Sequence, residues 1–216
     1  FGSTAAVLLG DFWLSRAVEL IMGAETHEKI APMFSKTLTD LSEGEMLQME
    51  KAASADTDEE AYYRIIHNKT ASLFETAGMS GAVSAGAFEA AREFASDFGM
   101  AFQIKDDILD YAGDSKLGKP LGMDISEQKI TLPLLGALRA SDREQEIREK
   151  IRDIHVHPEY CGEIHAFVLE NGGVEYAAAR LDEYIVRACR ALEVLPDSPA
   201  RRHLADIAHY NAFRQI

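Results

Sequence analysis

Three carboxylates lie close together inside a long apolar stretch of the chain. Asp106 and Asp110 are four residues apart and share one face of a predicted helix, and Asp107 lies one step round. Gln103 is expected one turn earlier, on the same side as Asp106. Carboxylates crowded on one face repel one another unless a cation neutralises them, and Mg²⁺ binds one or two carboxylates together with waters and phosphate oxygens. The cluster is therefore either a magnesium site or a solvated acidic patch at a helix end.

Lysines that could hold a polyanion accompany these carboxylates. Lys116, Lys119 and Lys129 follow them in the chain, and Lys69-Thr70 places an ammonium group beside a hydroxyl in an otherwise apolar segment. For Lys69 alone, an exposed lysine is the ordinary alternative, but its apolar surroundings favour a functional role. These residues predict a polyanion held between metal ions and ammonium groups.

The composition excludes several classes of protein. The 22 Lys and Arg residues against 36 Asp and Glu residues give a net charge of −14, and the absence of a basic stripe argues against nucleic-acid binding. With 47% hydrophobic residues the chain can form one core, so we expect a single domain over residues 1–216.

No apolar run approaches the roughly 20 residues of a transmembrane segment. Two cysteines without metal-ligand spacing favour a reducing compartment, and we expect a cytoplasmic protein.

Helices must position the carboxylates and lysines, because apolar residues recur at three- and four-residue steps throughout the chain. This period predicts an all-α bundle without strands. The predicted helices cover residues 3–23, 28–53, 58–77, 81–111, 127–141, 143–155, 158–171, 173–194 and 198–214. The carboxylates fall in the longest of them, and the interval 113–124 is the longest predicted loop.

Six stretches of sequence, taken in their order along the chain, point to a known family. They cover residues 1–12, 44–48, 69–74, 99–110, 118–124 and 129–134, and the strongest is 99–110, which contains the three carboxylates. The chain resembles the trans-prenyl diphosphate synthases of the polyprenyl synthetase family, in which 99–110 matches the second aspartate-rich motif. The resemblance extends over the whole chain, leans toward long-chain members such as octaprenyl-diphosphate synthases, and implies an isoprenoid-synthase-type helical bundle.

The resemblance implies an enzyme, a prenyltransferase. Members of the family use Mg²⁺ to join an allylic diphosphate head-to-tail to isopentenyl diphosphate, which gives a longer trans-polyprenyl diphosphate for isoprenoid biosynthesis. The implied metal ligands are Asp106, Asp107 and Asp110, with Asp106 the first candidate for direct contact. The implied substrate-binding residues are Lys69, Thr70, Gln103, Lys119 and Lys129, of which the first four are also assigned to catalysis. A homodimer is also expected.

The chain departs from the family pattern at its start. The first aspartate-rich motif, the arginine pair that follows it and the isopentenyl diphosphate residues further upstream have no counterpart here. We therefore expect that the N-terminal helices are missing from this chain and that it is inactive alone. The alternative is a non-catalytic partner subunit, or a binding protein on the same scaffold, that lacks the first motif by nature. Product length and allylic primer are not readable from these residues.

Overall fold

The computed structural model describes residues 2–83, 87–112 and 122–214. Within these ranges every regular element is helical, which confirms the predicted all-α class. The α-helices are α1 (Ser3–Met22), α2 (His27–Ser54), α3 (Glu59–Ile66), α4 (Ser72–Ala82), α5 (Phe88–Ala112), α6 (Met123–Ser126), α7 (Leu132–Arg139), α8 (Glu144–Arg152), α9 (Tyr160–Glu170), α10 (Gly173–Ala191) and α11 (Pro199–Phe213). A π turn, His67–Ala71, joins α3 to α4, and a 3₁₀ turn, Leu192–Val194, follows α10.

Helix α5 lies at the centre of the molecule. It packs most extensively against α10 and α4, and its apolar face joins a buried core to which α7, α8 and α9 also contribute. Ile104 and Ile108 of α5 are almost entirely buried, one turn apart. The carboxylates therefore belong to the most tightly packed helix, where backbone motion is restricted.

Helix α1 differs from the other long helices because none of its residues is buried. Its exposed apolar side chains are Val7, Leu8, Leu9, Phe12, Trp13, Leu14, Val18, Leu20 and Met22. The homodimer is expected from the family resemblance and from the apolar surface of the predicted helices 3–23 and 28–53, and the dimer stays a prediction. Across the described parts of the chain, no helix is both long and apolar enough to cross a bilayer.

Several predicted helix ends are wrong. The helix predicted over 58–77 includes the π turn and reaches Ala82, and α5 begins at Phe88 rather than at residue 81. The helix predicted from residue 127 begins at Leu132, because Thr131 is extended and the fixed backbone of Pro133 suits the first helical turn. The short helix α6 lies partly inside the predicted loop 113–124 and follows Gly122, whose φ of +76° favours glycine.

Candidate active site

The π turn places two chemically active side chains beside a cavity. Lys69 and Thr70 are consecutive within His67–Ala71, and both line a cavity of about 80 Å³ between α2, α3, α5 and the segment after α6. A π turn replaces the regular hydrogen bonding of an α-helix, and such turns are frequent at functional sites. The cavity walls combine these groups with the apolar side chains of Ile65, Ile66 and Ile130.

A chain of hydrogen bonds links the π turn to α5 and α3. Thr70 Oγ1 donates to Gln103 Oε1 at 2.8 Å, and Gln103 Nε2 donates to Asp107 Oδ1 at 3.0 Å. Tyr62 Oη donates to the other carboxylate oxygen of Asp107 at 2.6 Å. The partner of Gln103 is thus Asp107, four residues on, rather than Asp106, which was expected on the same side of the helix. Gln103 and Asp107 both line the cavity.

The two described lysines of the candidate site are paired with acids at the cavity. Lys69 Nζ lies 2.6 Å from Glu45 Oε2 and donates to Gln48 Oε1 at 3.2 Å. Lys129 Nζ bonds to Glu127 and lies 3.8 Å from Asp124 Oδ1. A bound anion would have to compete with these carboxylates for the ammonium groups, or share them.

Asp106 and Asp110 have different partners from Asp107. The Asp106 carboxylate pairs with Arg214, which also donates to the backbone oxygen of Phe102 and lies 4.2 Å from the centre of its ring. Asp110 accepts hydrogen bonds from the backbone N–H groups of Met123 and Asp124 at 3.1 and 3.0 Å. Over the ranges that the structure covers, no three Asp, Glu, His or Cys side chains converge on one point.

Burial and repulsion between neighbouring acids raise the pKa values of the carboxylates at the cavity. Burial, and to a smaller extent repulsion from Asp124, raises the pKa of Asp107 to about 8. Burial, followed by repulsion from Asp110, raises the pKa of Asp124 to about 6. Burial, followed by the charge of Asp107, also raises the pKa of Tyr62 well above its ordinary value. Carboxylate oxygens are the ligands that Mg²⁺ prefers. Both oxygens of Asp107 accept hydrogen bonds, and Asp106 and Asp110 have partners of their own, so these residues fit Mg²⁺ only after those contacts change.

Sequence reasoning identified part of this site and missed part. Lys69, Thr70, Gln103, Asp107 and Lys129 line the same cavity, whereas Lys119 lies outside the described residues. Three contributors were not singled out: Tyr62, Gln48 and Arg214. A tyrosine on the buried face of α3 was the one available signal, because a buried hydroxyl needs a partner. Arg214 contacts a residue 108 positions away, which no local pattern indicates.

Comparisons with known proteins agree on one family. The family described as Polyprenyl synthetase matches residues 1–165. The chain is 38% identical to octaprenyl diphosphate synthase of Haemophilus influenzae over 99% of its length and 67% of that protein. It is also 38% identical to the all-trans-nonaprenyl-diphosphate synthase (geranyl-diphosphate specific) of Rhodobacter capsulatus, over 96% of this chain and 65% of that one. The crystal structure of a Caulobacter crescentus polyprenyl synthase complexed with calcium and isoprenyl diphosphate covers the whole chain at 33% identity with a TM-score of 0.89. The chain covers 67% of that structure and thus spans about two thirds of the length of these relatives.

Proposed function

Because the chain belongs to the polyprenyl synthetase family, we propose that the protein extends an allylic prenyl diphosphate with isopentenyl diphosphate. The product is a longer trans-polyprenyl diphosphate. Two of the relatives are an octaprenyl and a nonaprenyl diphosphate synthase, which supports a long-chain product. Relatives that are themselves prenyl diphosphate synthases favour this reading over a non-catalytic partner subunit.

The observation that carries the proposal is the convergence of Lys69, Thr70, Gln103 and Asp107 on one cavity. Lys69 and Lys129 bind diphosphate oxygens, and Lys119 is assigned the same role from the motif that contains it. The Thr70 hydroxyl and the Gln103 amide are linked at 2.8 Å, so their dipoles are fixed before substrate arrives. Fixed dipoles stabilise the positive charge that develops on the allylic carbons as diphosphate departs, without reorganisation during the reaction.

Asp106, Asp107 and Asp110 are the residues that would hold Mg²⁺ in this proposal. When bound, the metal stabilises negative charge on the departing diphosphate oxygens. Asp106 becomes available when Arg214 turns to another anion, and a diphosphate supplies one. Calcium with isoprenyl diphosphate in the Caulobacter crescentus relative supports a divalent cation beside a diphosphate in this family.

The proposal also includes the assembly and location of the protein. A homodimer would cover the apolar side chains of α1, none of which is buried in the single chain. A single prenyltransferase domain in the cytoplasm agrees with the shared core and with the lack of a membrane-spanning helix in the described ranges.

Elongation of farnesyl diphosphate with isopentenyl diphosphate and Mg²⁺ tests the function. The full-length gene product and the 216-residue chain are both assayed, because nothing observed bears out the expected inactivity of the chain. Lys69→Ala and Asp106→Ala should lower turnover by about 100-fold or more, while Lys36→Ala and Asp182→Ala at exposed positions should not. Absence of Mg²⁺-dependent elongation by the gene product would overturn the proposal, and near-normal turnover of Asp106→Ala would remove Asp106 from the metal site.

A further inference from the structure

Two glycines allow neighbouring helices to approach the backbone of the π turn. A Cβ atom at Gly44 of α2 would lie 2.8 Å from the backbone nitrogen of Lys69. A Cβ atom at Gly99 of α5 would lie 2.6 Å from the Cα atom of Ala71. Ordinary contact begins at 3.4 Å, so neither position accepts a side chain unless the π turn or the helix moves.

A glutamine follows each glycine by one helical turn and bonds to a side chain of the same π turn. Gln48, four residues after Gly44, accepts a hydrogen bond from Lys69 Nζ at 3.2 Å. Gln103, four residues after Gly99, accepts one from Thr70 Oγ1 at 2.8 Å. Residues four apart share a helix face. Each helix therefore gives the π turn one backbone contact and one side-chain hydrogen bond.

We propose that the two pairs, Gly44 with Gln48 and Gly99 with Gln103, fix the register of the π turn and so position Lys69 for diphosphate and Thr70 for the allylic carbons. Gly44, Gln48 and Gly99 are positioning residues in this arrangement. π-helical hydrogen bonding is rare and occurs mostly as single turns inside α-helices, so such a turn persists where its surroundings hold it. The inference rests on the proposed function, because it requires that Lys69 binds diphosphate.

Gly44→Ala is the sharpest test, because it adds one methyl group and leaves every polar group of the site in place. To restore ordinary contact, the distance from the new Cβ atom to the Lys69 nitrogen must grow from 2.8 to 3.4 Å, so the π turn shifts relative to α2 by about 0.6 Å. A shift of that order takes an ammonium group away from the best distance to a phosphate oxygen. Loss of one such charge-assisted hydrogen bond lowers affinity about tenfold or more.

Two other glycines provide matched controls. Gly78 of α4 is packed almost as tightly, with a Cβ position 2.9 Å from the Ala95 Cβ atom, but it lies outside the π turn. Gly162 of α9 has open space around it. Gly78→Ala should lower the melting temperature and leave diphosphate affinity within about twofold of the parent, because it strains the core without touching the turn. Gly162→Ala should lower neither quantity.

Isothermal titration of inorganic pyrophosphate into the full-length gene product with excess Mg²⁺ measures the effect, below the melting temperature of every variant. We expect Gly44→Ala to bind pyrophosphate about tenfold more weakly than the parent. Gly78→Ala, at a similar loss of melting temperature, should lose less affinity than Gly44→Ala. If Lys69→Ala binds as tightly as the parent, the proposed role of Lys69 fails. If Lys69→Ala weakens binding while Gly44→Ala and Gly78→Ala do not differ, the positioning inference is overturned.

A second variant covers the case in which Gly44→Ala does not fold. A Cβ atom at Gly44 would also lie 2.9 Å from the Asn68 Cβ atom, and Asn68→Gly removes that contact. The double variant Gly44→Ala/Asn68→Gly is then compared with Asn68→Gly alone. About tenfold weaker pyrophosphate binding by the double variant supports the inference, and equal binding overturns it.

Discussion

Asp107→Asn is expected to stabilise the metal-free protein while it impairs the site. Asp107 is 4% exposed, and burial together with Asp124 raises its pKa to about 8. The Asp107 carboxyl therefore keeps its proton up to a higher pH in the folded chain than in the unfolded chain, where it loses the proton at about pH 4. Folding takes up this proton between about pH 4 and pH 8, so the free energy of unfolding falls as the pH rises through that range.

The size of the effect follows from the difference between the Asp107 pKa in the folded and the unfolded chain. Each unit of pKa is worth about 1.4 kcal/mol, so a rise from 3.8 to about 8 costs at most about 6 kcal/mol at pH 8. The asparagine keeps both hydrogen bonds if Gln103 reverses its amide: it accepts from Tyr62 and donates to Gln103, which then donates to Thr70. Neutral bonds are weaker than charged ones by about 1–2 kcal/mol in total. Subtracting about 1–2 from at most about 6 kcal/mol, we expect a net stabilisation of at most about 4–5 kcal/mol at pH 8 and about none at pH 4.

Urea unfolding in EDTA at pH 5, 6.5 and 8 measures this effect. Asp107→Asn should lose most of the decline in stability with rising pH, and a smaller slope from Asp124, whose pKa is raised to about 6, should remain. Asp182→Asn, at an exposed position of α10, should follow the parent at every pH. Mg²⁺ with pyrophosphate should stabilise the parent more than Asp107→Asn. An Asp107→Asn protein that is less stable than the parent at pH 8, or that keeps the parent's pH slope, would refute the reasoning.

Three further predictions concern stability. Asp58→Ala removes the carboxylate that accepts from the Ala61 N–H at 2.7 Å, and the free energy of unfolding in urea should fall by about 1 kcal/mol. His67 and Glu75 lie 2.9 Å apart, which raises the His67 pKa, while the bond from His67 lowers the Glu75 pKa against the effect of burial. The pair therefore stabilises the fold most between about pH 4.5 and 6.5. His67→Ala should lower the free energy of unfolding more at pH 5.5 than at pH 8.5. An equal loss at the two pH values would exclude the ion pair. Gly162→Ala should raise the unfolding free energy by about 0.5–1 kcal/mol, because alanine favours the helix and has room there; a fall would show hidden crowding.

The helical class was predictable because long helices such as α5 and α10 bury apolar residues at a helical period that is visible in the sequence. The central position of α5 follows from the same pattern, and the carboxylates on it were found for that reason. The π turn was not predictable, since residues 67–71 have no breaker and read as ordinary helix. Gly44 and Gly99, which pack against its backbone, are distant in sequence and close in space, so local patterns do not indicate these contacts.

The pairing of polar groups was also beyond the sequence. Gln103 is three residues from Asp106 and four from Asp107, and both spacings place side chains on one helix face. The choice between them depends on the rotation of α5 against α3, where Tyr62 supplies the second hydrogen bond to Asp107. Arg214 forms an ion pair with Asp106 because α11 ends beside α5. The packing of the helices decides which polar groups pair, and local sequence patterns do not indicate these pairs.

The π turn sets the length of the segment that contains it. A π turn holds one residue more than the α-helical turn it replaces, so deletion of one residue within His67–Ala71 would allow a continuous α-helix from α3 to α4 with little rotation of α4. The contacts of α4 with its neighbours, such as the Phe74 ring centred 5.2 Å from Phe98, would then be kept. The backbone that presents Lys69 and Thr70 to the cavity would be lost. A one-residue deletion at this point would therefore remove part of the candidate site and leave the core packing of α4 intact.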